Sequence, residues 1–232
     1  MLARAGLRSG KLPAMDVVIA GGHGQIALRL ERLLTEEGHR SRAVIRNPEH
    51  VADVAATGAE PVVLDLEAIA GLRELTEAVR GADAVVFAAG AGAGSGPERK
   101  RTVDYGAAVK LIAAAEAAGV GRYVMISTLG ADQPDARGEA MRPYFQAKAD
   151  AEDAVRASSL AYTIVRPGSL TDDPGTGRVT VTEHLDGWGS IARDDVAAVL
   201  LAVLVAGAAE RRTFEVVAGD SPIDEALASL TY

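Results

Sequence analysis

The 232-residue sequence has no cysteine, which excludes disulfides, thiolate metal sites and a cysteine nucleophile. That absence fits a reducing cytoplasm, and a cytoplasmic location is expected. Histidines are few: His23, His39, His50 and His184 stand at no ligand spacing, so no metal site is expected. Positive charge is in deficit, with 24 lysines and arginines against 32 aspartates and glutamates, a formal net charge of -8. Nucleic acid and anionic membranes would repel such a chain, which leaves a small-molecule substrate as the expected partner. Long apolar runs are missing as well. Residues 200–209 fall short of the roughly 18 apolar residues of a membrane span, and Asp194 and Asp195 stand close before them. The 48% hydrophobic content is still ample for a core. Residues 1–14 carry Arg4, Arg8 and Lys11 without the apolar centre of a secretory signal, and Met15 directly precedes a strand-like run. Residues 1–14 therefore read as an upstream extension and 15–232 as a single domain.

What is present is organised around residues 16–27. Residues 17–20 have the length and β-branched content of a buried strand, and Ile26, Leu30, Leu33 and Leu34 follow at helical spacing. Between them lies a turn of the form G-x-x-G-x-x-A, made by Gly21, Gly24 and Ala27, with Gly22 as a further small residue. Glycine permits positive φ and lets backbone N–H groups approach a pyrophosphate, and small Ala27 lets the helix pack closely on the sheet. The helix N-terminus would face that anion with unpaired donors. Strand, turn and helix in this order predict dinucleotide binding, against the plainer alternative of an ordinary tight loop.

Gly38 can end the first helix, and residues 43–45 read as a second strand that closes at Arg46. In a dinucleotide fold this strand end meets the adenosine ribose. A carboxylate there suits the 2′-hydroxyl of NAD, and an arginine the 2′-phosphate of NADP. Arg46, with no acid at the strand end, predicts NADP; a solvated surface arginine is the alternative. Asn47-Pro48-Glu49 supplies a cap, an N1 proline and a first-turn acid for a second helix that Gly58 stops. Strands follow at 61–64, with Asp65 at the end, at 84–88, which runs into a glycine- and alanine-rich stretch, and at 123–126, which ends in Ser127 and Thr128. Leu72, Leu75 and Val79 mark a short helix, and an alanine-rich helix runs to Gly119. At the start of that long helix, Arg99-Lys100-Arg101 oppose the helix dipole. They read as a solvated face or as a clamp on an anionic cofactor or substrate group.

Alternating strands and helices predict an α/β fold: a doubly wound (Rossmann) parallel sheet with helices on both faces and ligands at the carboxyl ends of the strands. Those ends carry Gly21, Arg46, Asp65, Ala89 and Ser127. A later helix, opened by Pro143, carries Tyr144 and Lys148 at i and i+4, on one face. A neighbouring ammonium favours a phenolate and readies the phenol to exchange a proton with a carbonyl or alcohol. A sixth strand, 162–165, closes in Arg166-Pro167-Gly168. Residues 178–182 and 214–218 read as strands, Asp194 as the cap of an apolar helix to residue 205, and 222–230 as a closing helix. His184 reads as a solvated loop residue and Trp188 as packing.

Eight pieces carry a family resemblance. They are AGGHGQIA at 20–27, VIRNPEH at 44–50, LDL at 64–66, TVDYGA at 102–107, YVMIST at 123–128, YFQAKADAE at 144–152, YTIVRPGSLT at 162–171 and IARDDVA at 191–197. Their order resembles the short-chain dehydrogenase/reductase superfamily, closest to its atypical single-domain branch of NAD(P)H-binding, NmrA-like and epimerase-like proteins, from Met15 to the end of the chain. By that resemblance Gly21, Gly24 and Ala27 would carry the pyrophosphate turn and Arg46 would favour NADP, with Gly22, His23, Gln25, Ile26 and Asn47 also at the cofactor. Asp65 and Leu66 would lie beside the adenine, while Ala88, Ala89, Gly90 and Ser127 would line the cofactor. Lys148 would hold the nicotinamide ribose, and Pro167, Gly168, Ser169 and Leu170 would flank the nicotinamide. Tyr144 would be the acid or base, tuned by Lys148. Alignment puts Leu129 where relatives place the Ser or Thr that bonds the reacting oxygen, so Ser127 or Thr128 would take that role. Asp104 stands where many relatives have asparagine. Residues 167–232 would form the small substrate-binding part.

The resemblance implies an NADP-dependent oxidoreductase or epimerase-like enzyme that moves hydride between the nicotinamide and a small carbonyl or alcohol, or a quinone or flavin. The alternative is a non-catalytic NADP(H) redox sensor of the NmrA-like type. A monomer or weak homodimer is expected, because the helix carrying Tyr144 would turn Asp150, Glu152, Asp153 and Arg156 outward, and charges are depleted at interface cores.

Overall fold

Side-chain alternation along the first strand decides the layering. Val17 and Ile19 enter one apolar cluster, Val18 and Ala20 another, and all four are fully buried. A strand buried on both sides needs a helical layer over each face. The computed structural model describes residues 13–92, 94–135, 138–207 and 209–231 and supplies those layers. Residues 1–12 of the expected upstream extension lie outside the described residues.

The strands are β1 (Asp16–Ala20), β2 (Arg40–Ile45), β3 (Glu60–Val63), β4 (Ala84–Phe87), β5 (Arg122–Ile126), β6 (Ala161–Pro167), β7 (Ser169–Thr171), β8 (Arg178–Thr182), β9 (Ser190–Ala192), β10 (Arg212–Ala218) and β11 (Ser221–Pro222). The helices are α1 (Gln25–Glu36), α2 (Val51–Ala55), α3 (Arg73–Val79), α4 (Pro97–Arg99), α5 (Ala108–Ala118), α6 (Arg142–Arg156), α7 (Arg193–Ala206) and α8 (Ile223–Ala228). The main sheet runs β11-β8-β10-β6-β5-β4-β1-β2-β3. It is parallel from β10 to β3, and β8 and β11 extend it antiparallel. One core lies between the sheet and α1, α7 and α8, and the other between the sheet and α3, α5 and α6.

Several local expectations change. The alanine-rich stretch is not one α-helix, because Lys100–Ala107 between α4 and α5 is π-helical. The second helix is shortened by a 3-10 turn at Pro48–His50, with Asn47 accepting from the Glu49 N–H at its cap. Asp194 is not the cap of α7, which starts at Arg193 behind Ala192. Its carboxylate and that of Asp195 instead accept from the N–H groups of Gly175, Thr176 and Gly177, pinning that loop. The closing helix is shorter than expected and ends in a 3-10 turn at Ser229–Thr231. Strands β7, β9 and β11 are too short for periodicity to mark.

Glu31 of α1 is fully buried against α2, where burial pushes its carboxyl up to about 7 despite the Thr57 contact and the charge of Arg32. Thr57 Oγ1 lies 2.9 Å from Glu31 Oε2 and 2.7 Å from the Val54 carbonyl, and one hydroxyl proton cannot serve both. A neutral Glu31 resolves the conflict by donating to Thr57 while Thr57 donates to Val54. Its folded value lies above the ordinary 4.5, so the stability it lends is complete below that pH and is lost as pH rises through about 7. By pH 8 the loss reaches about 3 kcal/mol. Glu31→Gln should therefore raise the melting temperature at pH 8 and change it little at pH 5, as read by thermal unfolding at both. An equal effect at the two pH values would contradict a buried neutral acid.

Candidate functional site

The crevice starts where the chain leaves β1 and β4, neighbours whose connections depart in opposite directions, the place where doubly wound folds take ligands. Gly21 has φ +86°, and a Cβ on it would lie 2.6 Å from Ala89 Cα and 2.7 Å from Ala89 N. No side chain fits there. A Cβ on Gly22 would meet Ala43 Cβ at 2.5 Å, so this second glycine serves packing on β2 and does not line the crevice. Gln25 does not line it either, and its carbonyl accepts from Arg29. Helix α1 begins with no side-chain cap and no acid in its first turn, which leaves its N–H groups for an anion.

One half of the crevice is a cavity of about 280 Å³ lined by Gly21, His23, Gly24, Arg46, Asn47, Asp65, Leu66, Ala88, Ala89 and Gly90, and also by His50, Glu67 and Arg99. The expectation of no acid beside Arg46 is corrected: Glu67 stands there. Its Oε2 accepts from Arg46 Nη1 at 3.1 Å and from Arg99 Nη2 at 3.0 Å, and its Oε1 accepts from Thr102 Oγ1 at 2.7 Å. Partial burial opposes the charged form, but Thr102, Arg99 and Arg46 outweigh it and hold the Glu67 carboxyl below its ordinary range. Asp65 Oδ1 accepts from the Glu67 N–H at 2.9 Å, so its carboxylate bends the chain that presents Glu67. His23 and His50 stack with ring centres 3.5 Å apart, and His23 Nε2 lies 2.9 Å from Asp53 Oδ2.

The other half, about 570 Å³, is lined by Ile26, Ser127, Thr128, Tyr144, Lys148, Pro167, Gly168, Ser169 and Leu170, with Lys100, Asp104, Met141 and Arg193. It shares residues 88–90 with the first half. Tyr144 and Lys148 share a face of α6, with the Lys148 ammonium 6.0 Å from the Tyr144 ring centre. Lys148 Nζ lies 3.3 Å from Asp104 Oδ1 and donates to the Ile126 carbonyl at 3.2 Å. Both members of that charge pair are buried. Asp104 Oδ2 accepts from the Ala91 N–H at 3.2 Å, while Oδ1 makes only the charge contact and no hydrogen bond.

Ser127 reaches the crevice, but its hydroxyl donates to Glu152 Oε1 at 2.5 Å. Glu152 is not on the outer surface of α6 as expected; it is fully buried and also accepts from Arg166 and Arg156. That cluster ties α6 to β6. Asp132, His184 and Glu215 bring ligand atoms within 4.8 Å of one another, but the Arg166 guanidinium already pairs with Asp132 and Glu215 and supplies the positive charge. Leu129 is buried, donates its N–H to the Pro167 carbonyl and lines a separate small cavity beside Trp188. Thr128 is thus the residue of this strand end that faces Tyr144's cavity without a bond to Glu152. Trp188, half exposed, lays its ring on Gly130, where a Cβ would come within 2.4 Å of it.

Residues 21–206 match the model of a family described as NAD(P)H-binding. An uncharacterized sugar epimerase, YhfK, of Bacillus subtilis is 41% identical over 217 residues, which cover 93% of this chain and 100% of that protein. Among solved structures, a putative NAD-dependent epimerase/dehydratase from Bacillus halodurans is 38% identical with a TM-score of 0.87, covering 93% of this chain and 100% of that one. ChuY, an anaerobilin reductase from Escherichia coli O157:H7, is 26% identical with a TM-score of 0.75, covering 89% of this chain and 98% of that one.

Removing one partner of a buried charge pair strands the other, at a cost of about 3–5 kcal/mol. Asp104→Ala should destabilise the fold by that amount in urea unfolding, and Asp104→Asn by less, since the amide keeps a polar contact. A loss under about 1 kcal/mol for Asp104→Ala would show that the pair is not what holds these walls together.

Proposed function

The chain belongs to the NAD(P)H-binding family, among the proteins similar to atypical short-chain dehydrogenases/reductases. From that premise we propose that it is an NADP-dependent oxidoreductase acting on a small carbonyl or alcohol. The observation that carries this reading is the two-part crevice, with Arg46 and Arg99 at one end, Tyr144 and Lys148 at the other, and residues 88–90 joining them.

The residues suit such a cofactor. Gly21 leaves a cradle that any Cβ would fill, the uncapped start of α1 suits a pyrophosphate, and Arg46 with Arg99 suits a 2′-phosphate that draws both guanidinium groups away from Glu67. Asp104 Oδ1, buried without a hydrogen bond, is an acceptor available to a ribose hydroxyl. The cofactor supplies the hydride. Tyr144 gives its hydroxyl proton to the carbonyl oxygen as the carbon accepts that hydride, and the Lys148 ammonium steadies the phenolate left behind. Thr128, beside Tyr144's cavity, donates to the same oxygen, and Asp104 keeps Lys148 in place. The second reading, a redox sensor that binds NADP(H) without turnover, is favoured by one observation, the engagement of Ser127 with Glu152.

Two variants test this reading. Arg46→Ala should weaken NADPH binding about 10- to 100-fold, the loss of a hydrogen bond to a charged group, and leave NADH nearly unchanged. Equal affinity of the wild type for both coenzymes would refute the NADP assignment. Tyr144→Phe should keep coenzyme affinity while turnover falls about 10²–10⁴-fold on the best substrate from a screen of aldehydes, ketones, quinones and flavins. Wild-type turnover by that variant would remove Tyr144 from the chemistry, and firm NADPH binding with no reduction across the screen would favour the sensor.

A further inference from the structure

Among the charged side chains lining the Tyr144 half of the crevice, Lys148 pairs with Asp104, and Arg193 pairs with Asp172 at 2.8 Å. Lys100 has no carboxylate partner among the described residues. Its ammonium stands 5.0 Å from the centre of the Tyr144 ring. It opens the π-helical segment whose fifth residue is Asp104, so the contact that fixes Lys148 also fixes the backbone carrying Lys100. A cation placed beside a proton donor, in a chain of net charge -8, makes a local attraction for anions on a protein that otherwise repels them.

The same lining contains Met141 and Leu170, which are 41% and 38% exposed, two of the few large apolar side chains left in contact with water. Exposed apolar groups at a cavity mouth offer their area to an apolar ligand body. We propose that Lys100 is a specificity-determining residue that anchors an anionic group of the substrate. The compound reduced is then an amphipathic acid: an apolar carbonyl compound with its body on Met141 and Leu170, its carbonyl at Tyr144 and its negative charge on Lys100. This rests on the oxidoreductase reading for the position of the carbonyl. The anion anchor itself depends only on binding.

The test is calorimetric titration of the full chain, saturated with NADP⁺, with 2-naphthoate and with its neutral isostere 2-naphthamide. The wild type should bind the acid about tenfold more tightly than the amide, Lys100→Gln should erase that difference, and Lys100→Arg should restore it. NADPH affinity, measured on coenzyme-free portions of the same preparations, should be unchanged in Lys100→Gln. Equal affinity of the wild type for acid and amide, no detectable binding of the acid, or a preference that survives Lys100→Gln would each overturn the anchor. Loss of NADPH binding in Lys100→Gln would overturn it too, by assigning Lys100 to the cofactor. Failure of the wild type to bind NADPH in these samples would instead defeat the oxidoreductase reading, and the acid–amide comparison without coenzyme would still decide the anchor.

Discussion

One buried charge pair holds the candidate active site together. Lys148 comes from α6 and Asp104 from the π-helical segment, and the same two side chains take the Ile126 carbonyl at the end of β5 and the Ala91 N–H after β4. Four walls of the crevice therefore meet at a single contact. An isolated ammonium or carboxylate in that position would carry a large desolvation penalty, so neither partner is tolerable without the other. An amide at position 104 could not neutralise the buried Lys148, whereas the Asp104 carboxylate does. The pair also accounts for the π-helical segment, whose widened turns bring Asp104 inward while Lys100 remains at the cavity mouth.

The opposite end is governed by a second shared contact. Glu67 gathers Arg46 and Arg99, and its carboxyl stays ionised because three donors outweigh the cost of its partial burial. Two guanidinium groups are thereby kept in one orientation at the rim before any ligand arrives. Between the two ends, the positive φ of Gly21 and its close approach to Ala89 leave room for backbone where a side chain would block the passage. The crevice is thus built from elements far apart in sequence, which the sheet order brings to one edge.

What could be read from the sequence was what local chemistry announces. Apolar runs marked the parallel strands, and the glycine pattern marked the turn at Gly21, because both depend on neighbours a few residues away. Tyr144 and Lys148 were legible as a pair for the same reason. The partner of Lys148 was not, since Asp104 lies on another element and its role depends on burial that no spacing reveals. No local pattern marks Glu67, because it follows β3 while Arg46 follows β2, and only their parallel pairing makes them neighbours. By spacing Glu152 is one more solvated charge on α6; Arg166, Arg156 and Ser127 make it an interior residue. The antiparallel additions β8 and β11 carry no signal of direction in their residues, because direction is set by which strand they pair with.

The central claim is that one ligand spans both halves of the crevice with its nicotinamide at the Tyr144 end. The chain's single tryptophan, Trp188, tests it directly. Trp188 lines an open surface hollow with Ser169, which also lines the Tyr144 half, so a reduced nicotinamide bound there would lie within energy-transfer range of the indole. The measurement is steady-state fluorescence with tryptophan excitation during NADPH titration. A nicotinamide at the Tyr144 end gives saturable quenching of Trp188 with matching nicotinamide emission, and that emission is lost when NADP⁺ displaces NADPH. Saturable NADPH binding by calorimetry with no transferred emission would place the nicotinamide elsewhere and contradict the account.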